Sequence, residues 1–211
     1  MFSTERAFPF CGWVAGGTAA QITVDPGVDY LPSWSPDGTQ IAFQREPSGN
    51  YFNGNWEVWV VPFTGGVATQ VVSDARAPSW SPDGSKIAFF SDRSGNEDIW
   101  VVPAGGGSAT QITTNAADDG YPAWSPDGSK IAFESNRSGN WDIWVIPATG
   151  GTATQITNDL GDDYDASWSP DGTQIAFSSN RNGSWDIWKI CLAGPTMIQQ
   201  TTWGHIKTMF R

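Results

Sequence analysis

Three tryptophans, Trp56, Trp141 and Trp185, occupy one equivalent position at the end of a recurring loop, each followed directly by an acid: Glu57, Asp142 and Asp186. An exposed indole beside polar groups stacks on a sugar ring or on a partner's side chain, so the set is a candidate for ligand binding. A further copy holds Glu97 at the equivalent position, which argues for exposure. The other reading has each indole capping a neighbouring unit. Arg93, Arg137 and Arg181 precede these positions and form a second candidate set. They are free to meet a ligand or to pair with Asp98, Asp142 and Asp186, tying loop to strand; an exposed pair of that kind is worth about 0–1 kcal/mol. Asp29, Asp119 and Asp163 each stand five residues before another tryptophan, with Asp74 one step out of register. Carboxylates converging there would hold Ca²⁺ or another hard cation, which wants oxygen ligands. Their alternative is to be solvated turns. Asp159, Asp162, Asp163 and Asp165 are dense but lack EF-hand spacing.

Residues for covalent or acid–base catalysis are few. The single histidine is His205, and no GxSxG elbow accompanies it. Metalloprotease, paired CxxC, phosphate-loop and dinucleotide signatures are absent. A small hydrolase or lyase using rim carboxylates stays open on acid density alone. The expectation is a non-catalytic chain without a cofactor, Ca²⁺ being the one metal the acids suggest.

The 211 residues carry Lys+Arg 11 against Asp+Glu 22, a net charge of −11. That balance points away from nucleic acid and anionic lipid, whose binding is driven by Lys and Arg displacing counterions. No apolar run approaches the ~20 residues of a membrane span, and no export signal is visible, so a soluble chain without membrane insertion is expected. Cys11 and Cys191 match no metal or redox spacing and read as free thiols.

The elements that position these residues follow from a repeat. WSPDG occurs at 34–38, 80–84, 124–128 and 168–172, and residues 106–149 laid over 150–193 give 26 identities in 44. Within the third copy, strand A is Tyr121 to Ser125 and strand B is Lys130 to Glu134. They are joined by Ser-Pro-Asp-Gly, which suits a type I turn. Strand C runs from Trp141 to Pro147 and is apolar on both faces, while strand D, Thr152 to Thr157, is a polar edge. Pro32, Pro78 and Pro122 make strand A the other edge, because proline cannot donate to a central ladder. Such four-stranded antiparallel units, covered on both faces, are blades of an all-β propeller.

The segment YPAWSPDGSKIAFESNRSGNWDIWVIPATGGTATQIT resembles the WD40-like repeat of TolB-type propellers, over nearly the whole chain. The resemblance implies protein partners, a bacterial periplasmic location where a leader has been removed (otherwise cytoplasmic), and a mainly structural role for Asp98, Asp142 and Asp186.

Complete blades are expected at about 24–71, 72–113, 114–157 and 158–201. Residues 1–23 with 202–211 form a fifth, so that a C-terminal strand at 206–211 closes a five-bladed ring. A monomer follows, or a dimer if the ring stays open. Trp34, Trp80, Trp124, Trp168, Trp59, Trp100, Trp144 and Trp188 are assigned to the core. The D-to-A and B-to-C loops share one acidic, Trp-bearing rim. The leading reading is a single-domain interaction module that meets a protein partner there; the alternative is a lectin-like glycan binder with several equivalent sites.

Overall fold

The computed structural model describes residues 18–50 and 54–192. The chain there is all β. The first blade contains β1 (Val28–Trp34), β2 (Gln40–Glu46), β3 (Glu57–Pro62) and β4 (Thr69–Ser73), and the second β5 (Arg76–Trp80), β6 (Lys86–Ser91), β7 (Asp98–Pro103) and β8 (Thr110–Gln111). The third contains β9 (Asp119–Trp124), β10 (Lys130–Ser135), β11 (Asp142–Pro147) and β12 (Thr154–Gln155). The fourth shows β13 (Asp163–Trp168), β14 (Gln174–Ser179) and β15 (Asp186–Cys191). Each sheet is an antiparallel meander in chain order. The expected closing strand at 206–211, the outer strand of the fourth blade and most of the fifth blade lie outside the described residues.

The Ser-Pro-Asp-Gly turn is held by its own side chains. In the third blade Asp127 Oδ1 accepts the Ser125 hydroxyl at 2.6 Å and the Ser129 N–H at 3.0 Å. Ser125 Oγ in turn accepts the Lys130 N–H at 3.0 Å. These donors hold the carboxyls of Asp83, Asp127 and Asp171 down at about 2, the serine hydroxyl contributing most. The glycine closing each turn has φ of 68–70°, a left-handed conformation that disfavours a Cβ. Each turn also abuts the next: a Cβ on Gly128 would lie 3.2 Å from Pro82 Cγ of the preceding blade.

Strand D is shorter than its threonine pattern predicts, only Thr154–Gln155 in the third blade. A side chain replaces the backbone there, since Thr157 Oγ1 accepts the Ile143 N–H at 2.9 Å and donates to Asp142 at 3.3 Å. The second blade repeats this with Thr113, Ile99 and Asp98.

The core lies between blades. Ala42, Val58 and Val60 of the first blade pack with Trp80, Ile87 and Phe89 of the second. Ala132 and Ile143 of the third pack with Ile175 and Phe177 of the fourth. This is why the middle strands are apolar on both faces. Each strand A tryptophan serves the blade before it, as when Trp168 Nε1 donates to the Ala123 carbonyl at 3.0 Å. Trp34 therefore departs from the expected core set: it is 57% exposed, because no blade among the described residues precedes it. Ile187 is likewise 78% exposed, whereas Val58, Ile99 and Ile143 at the same position are fully buried.

Strand A carries one irregularity in every blade. Leu31, Ala77, Tyr121 and Asp165 all have positive φ, between 48 and 58°, three residues before the tryptophan. A β-bulge falls there in each A–B pairing. For non-glycine residues this backbone costs about 1 kcal/mol or more each. The four bulges line one cavity of about 490 Å³, the central channel.

Candidate functional site

The rim arginines are built into the fold. The Arg137 guanidinium lies 5.2 Å from the Phe133 ring centroid and 4.7 Å from that of Trp144. Arg93 covers Phe89 and Trp100, and Arg181 covers Phe177 and Trp188, at 4.6–5.2 Å. These are cation–π distances. The first blade delivers its guanidinium from another backbone position: Arg45, on β2, lies 5.0 Å from both Phe43 and Trp59. The sequence signal for it was an arginine in an apolar strand beside Phe43.

The partners of these cations differ from the expected ones. Arg137 Nη2 donates to both oxygens of Asp119, at 2.7 and 2.6 Å, and Arg181 Nη2 to both oxygens of Asp163 at 3.0 Å. Arg45 binds Asp29 and reaches Asp25. Pairing with Asp98, Asp142 or Asp186 does not occur. Asp142 instead accepts the Ser138 hydroxyl, Gln155 Nε2 and Thr157 Oγ1, fixing strand C to strand D. The reason is geometric: the start of strand A lies beside the B-to-C loop of its own blade. In the second blade Ala75 stands where the others carry this aspartate, so Arg93 donates to the carbonyls of Ser73 and Asp74.

Asp29, Asp119 and Asp163 are thus each engaged by an arginine, with Asp119 and Asp163 fully buried. Burial pushes the Asp119 carboxyl above its usual range despite Arg137. Among the described residues no group of three or more His, Cys, Asp or Glu is placed to hold a metal ion.

The three indoles are equivalent in sequence but not in exposure. Trp56 is 6% exposed and meets Tyr30 edge-on at 6.1 Å, contrary to the expected open rim position. Trp141 is half-buried and lies 5.9 Å from Tyr164, which lies 5.4 Å from Trp185. Trp185 is 54% exposed.

Trp185 forms one wall of a pocket of about 450 Å³ between the third and fourth blades, with Tyr121, Glu134, Tyr164, Asp165 and Ser178. Tyr121 and Asp165 also line the channel, so the two cavities adjoin. Glu134 is 2% exposed, and its Oε1 accepts the N–H of bulge residue Asp165 at 2.6 Å. Burial, with Asp165 adding repulsion, pushes its carboxyl up to about 8, while the N–H bond pulls the other way. Sequence reasoning passed over Glu134 because it sits inside a strand rather than in a loop. A carboxylate at a position facing the next blade was the available signal.

Antiparallel blades set around a channel by their innermost strands, with the connecting loops gathered on a rim, define a β-propeller. The chain belongs to the TolB beta propeller domain family, whose model matches residues 50–153 and 118–209. It is similar to the structure of a TolB from Agrobacterium tumefaciens, at 26% identity and TM-score 0.69 over 81% of this chain and 61% of that one. TolB from Acinetobacter baumannii follows at 22% identity and TM-score 0.66, over 78% and 41%. The β-propeller domain of the Trilobed protease from Pyrococcus furiosus, described as having an open velcro topology, shares the fold at 16% identity and TM-score 0.56, over 80% and 55%. The chain therefore spans less than two thirds of these relatives. No curated protein matches it. No helix among the described residues is long and apolar enough to cross a membrane.

Proposed function

We propose that this chain is a non-catalytic docking module that binds a protein partner at the mouth of its channel, through the pocket between the third and fourth blades. One observation carries this reading. The rim carboxylates Asp29, Asp119 and Asp163 are consumed by internal arginine pairs, while Tyr121, Tyr164 and Trp185 leave an aromatic cleft that no side chain among the described residues fills. Clustered tyrosine and tryptophan in a concave site is the composition of an interface hot spot. The lectin-like alternative needs several equivalent indoles, and Trp56 and Trp185 differ too much in exposure to supply them.

Selection of peptides from a random display library on the immobilised chain tests the reading. Binders that lose affinity at least tenfold on Trp185→Ala and Tyr164→Ala are expected. A library that yields none, or binders indifferent to both substitutions, overturns it. Closure of the ring into five blades by 206–211 and 1–23 belongs to the same proposal and rests on the repeat alignment. Light scattering at the monomer mass of 22.8 kDa supports it, and a mass twice that counts against it.

A further inference from the structure

The first and third junctions between blades are built on one plan, whereas at the second Phe90 holds the equivalent position and packs on Tyr121 at 5.2 Å; comparing the first and third shows what the pocket at Glu134 is for. At the first junction Gln44 Oε1 accepts the N–H of the bulge residue Ala77 at 3.0 Å. Glu134 makes the same bond to Asp165 at the third. A neutral amide therefore suffices for the structural task. The acid at position 134 is surplus to it and is held at a cost, since a buried carboxylate is disfavoured unless paired.

The first junction also shows what fits beside such groups. Arg76 occupies the position of Tyr164, and Glu97 the position of Trp185. The Arg76 guanidinium binds Glu97 at 2.9 Å and lies 5.8 Å from the Phe90 ring. A cation over an aromatic ring, paired with a carboxylate, already fills that place in the second blade. At the third junction the aromatic rings are larger in number and two carboxylates are present, Glu134 and Asp165, yet among the described residues none that lines the pocket is cationic.

We propose that the pocket of Tyr121, Glu134, Tyr164, Asp165 and Trp185 binds an organic ammonium group, as carried by a lysine side chain of a docking partner. This deepens the docking reading and rests on the same pocket. Aromatic faces attract an alkylammonium through their quadrupoles, and a desolvated carboxylate adds a charge-assisted hydrogen bond. The groups facing Glu134 are Asp165 from strand A and Tyr164 beside it, with Tyr121 and Ser178 completing the wall. Burial, with Asp162 and Glu134 adding repulsion, pushes the Tyr164 phenol up. None of these supplies a positive charge, so the incoming cation must displace the Glu134 proton, and binding strengthens as pH rises.

The test is calorimetric titration of the whole chain with N-acetyl-lysine methylamide, using N-acetyl-norleucine methylamide as the uncharged control. Saturable binding of the lysine derivative alone is expected. It should weaken at least tenfold in Glu134→Gln, and its affinity should rise on the order of tenfold from pH 6.5 to pH 8.5. Gln44 shows that the amide keeps the inter-blade bond, so Glu134→Gln should fold; Asp165→Asn is the second variant, expected to weaken binding less. Equal binding of norleucine, no binding of either, or full binding by Glu134→Gln overturns the proposal. The two readings fail separately. Display-selected peptides that need Trp185 but contain no lysine sink the ammonium site and leave docking intact. An empty selection alongside lysine-derivative binding does the reverse.

Discussion

Arg137 reaches back eighteen residues to the fully buried Asp119, its Nη2 lying 2.7 and 2.6 Å from the two carboxylate oxygens. Removing the cation strands that charge. Arg137→Met should lower stability by about 3 kcal/mol, the cost of leaving a buried ion unpaired. Arg93→Met, which frees only carbonyls, should cost about 1 kcal/mol. Urea midpoints of the two variants check the difference. The Arg137→Met deficit should narrow as pH falls and Asp119 takes up a proton.

Glu134 makes stability depend on pH in the opposite sense to a salt-bridged acid. Its carboxyl is raised from 4.5 to about 8 on folding, so the native state binds the proton more tightly than the unfolded chain does. Stability should therefore fall as pH rises between those two values and level off on either side. The fall is on the order of 5 kcal/mol. In Glu134→Gln it should disappear, leaving a variant more stable than the parent at pH 9 and equal to it near pH 4.5. Denaturant titrations at the two pH values decide this; a parallel decline in both proteins would show that another group is responsible.

The three equivalent tryptophans should respond unequally. Trp56→Ala removes a buried indole and should cost about 3–5 kcal/mol. Trp185→Ala, at the open pocket wall, should cost less than about 1 kcal/mol. Trp141→Ala should fall between. Matching losses at all three positions in thermal melts would contradict the exposures described.

Two glycines separate turn strain from contact between blades. Gly38 and Gly128 have φ of 68 and 70°, but a Cβ on Gly38 meets nothing within 4 Å, whereas on Gly128 it meets Pro82. Gly38→Ala should cost about 1 kcal/mol for the backbone alone. Gly128→Ala should cost about 2 kcal/mol, the excess reporting the turn-to-turn contact. Equal costs would mean that the turns move apart freely.

The blades were legible from the sequence because WSPDG marks each A-to-B turn and the strand C runs have no polar face. Pairing across the rim was not. Arg137 and Asp142 are five residues apart and invite a local pair, but antiparallel return brings Asp119 closer. Arg45 escaped notice because it sits two positions earlier than its counterparts, and only the stack on Phe43 and Trp59 shows that it does the same job. The indoles at 56, 141 and 185 share a register, yet their exposure depends on neighbours such as Tyr30 and Tyr164 that the repeat does not fix. Glu134 was invisible for a similar reason: its environment comes from the following blade.

The bulge in strand A presents a backbone N–H to the preceding blade, and Gln44 and Glu134 satisfy it with different chemistry. A duplicated gene segment inserted at either of these two junctions would find that attachment point ready, since it asks only for an acceptor and not for a particular residue; the second junction, with Phe90 packed on Tyr121, does without it. Copies can then drift apart in the acceptor they use without coming loose from one another. The third junction would be the record of one such divergence, in which a spare copy of a structural joint acquired a charge that the joint itself does not require.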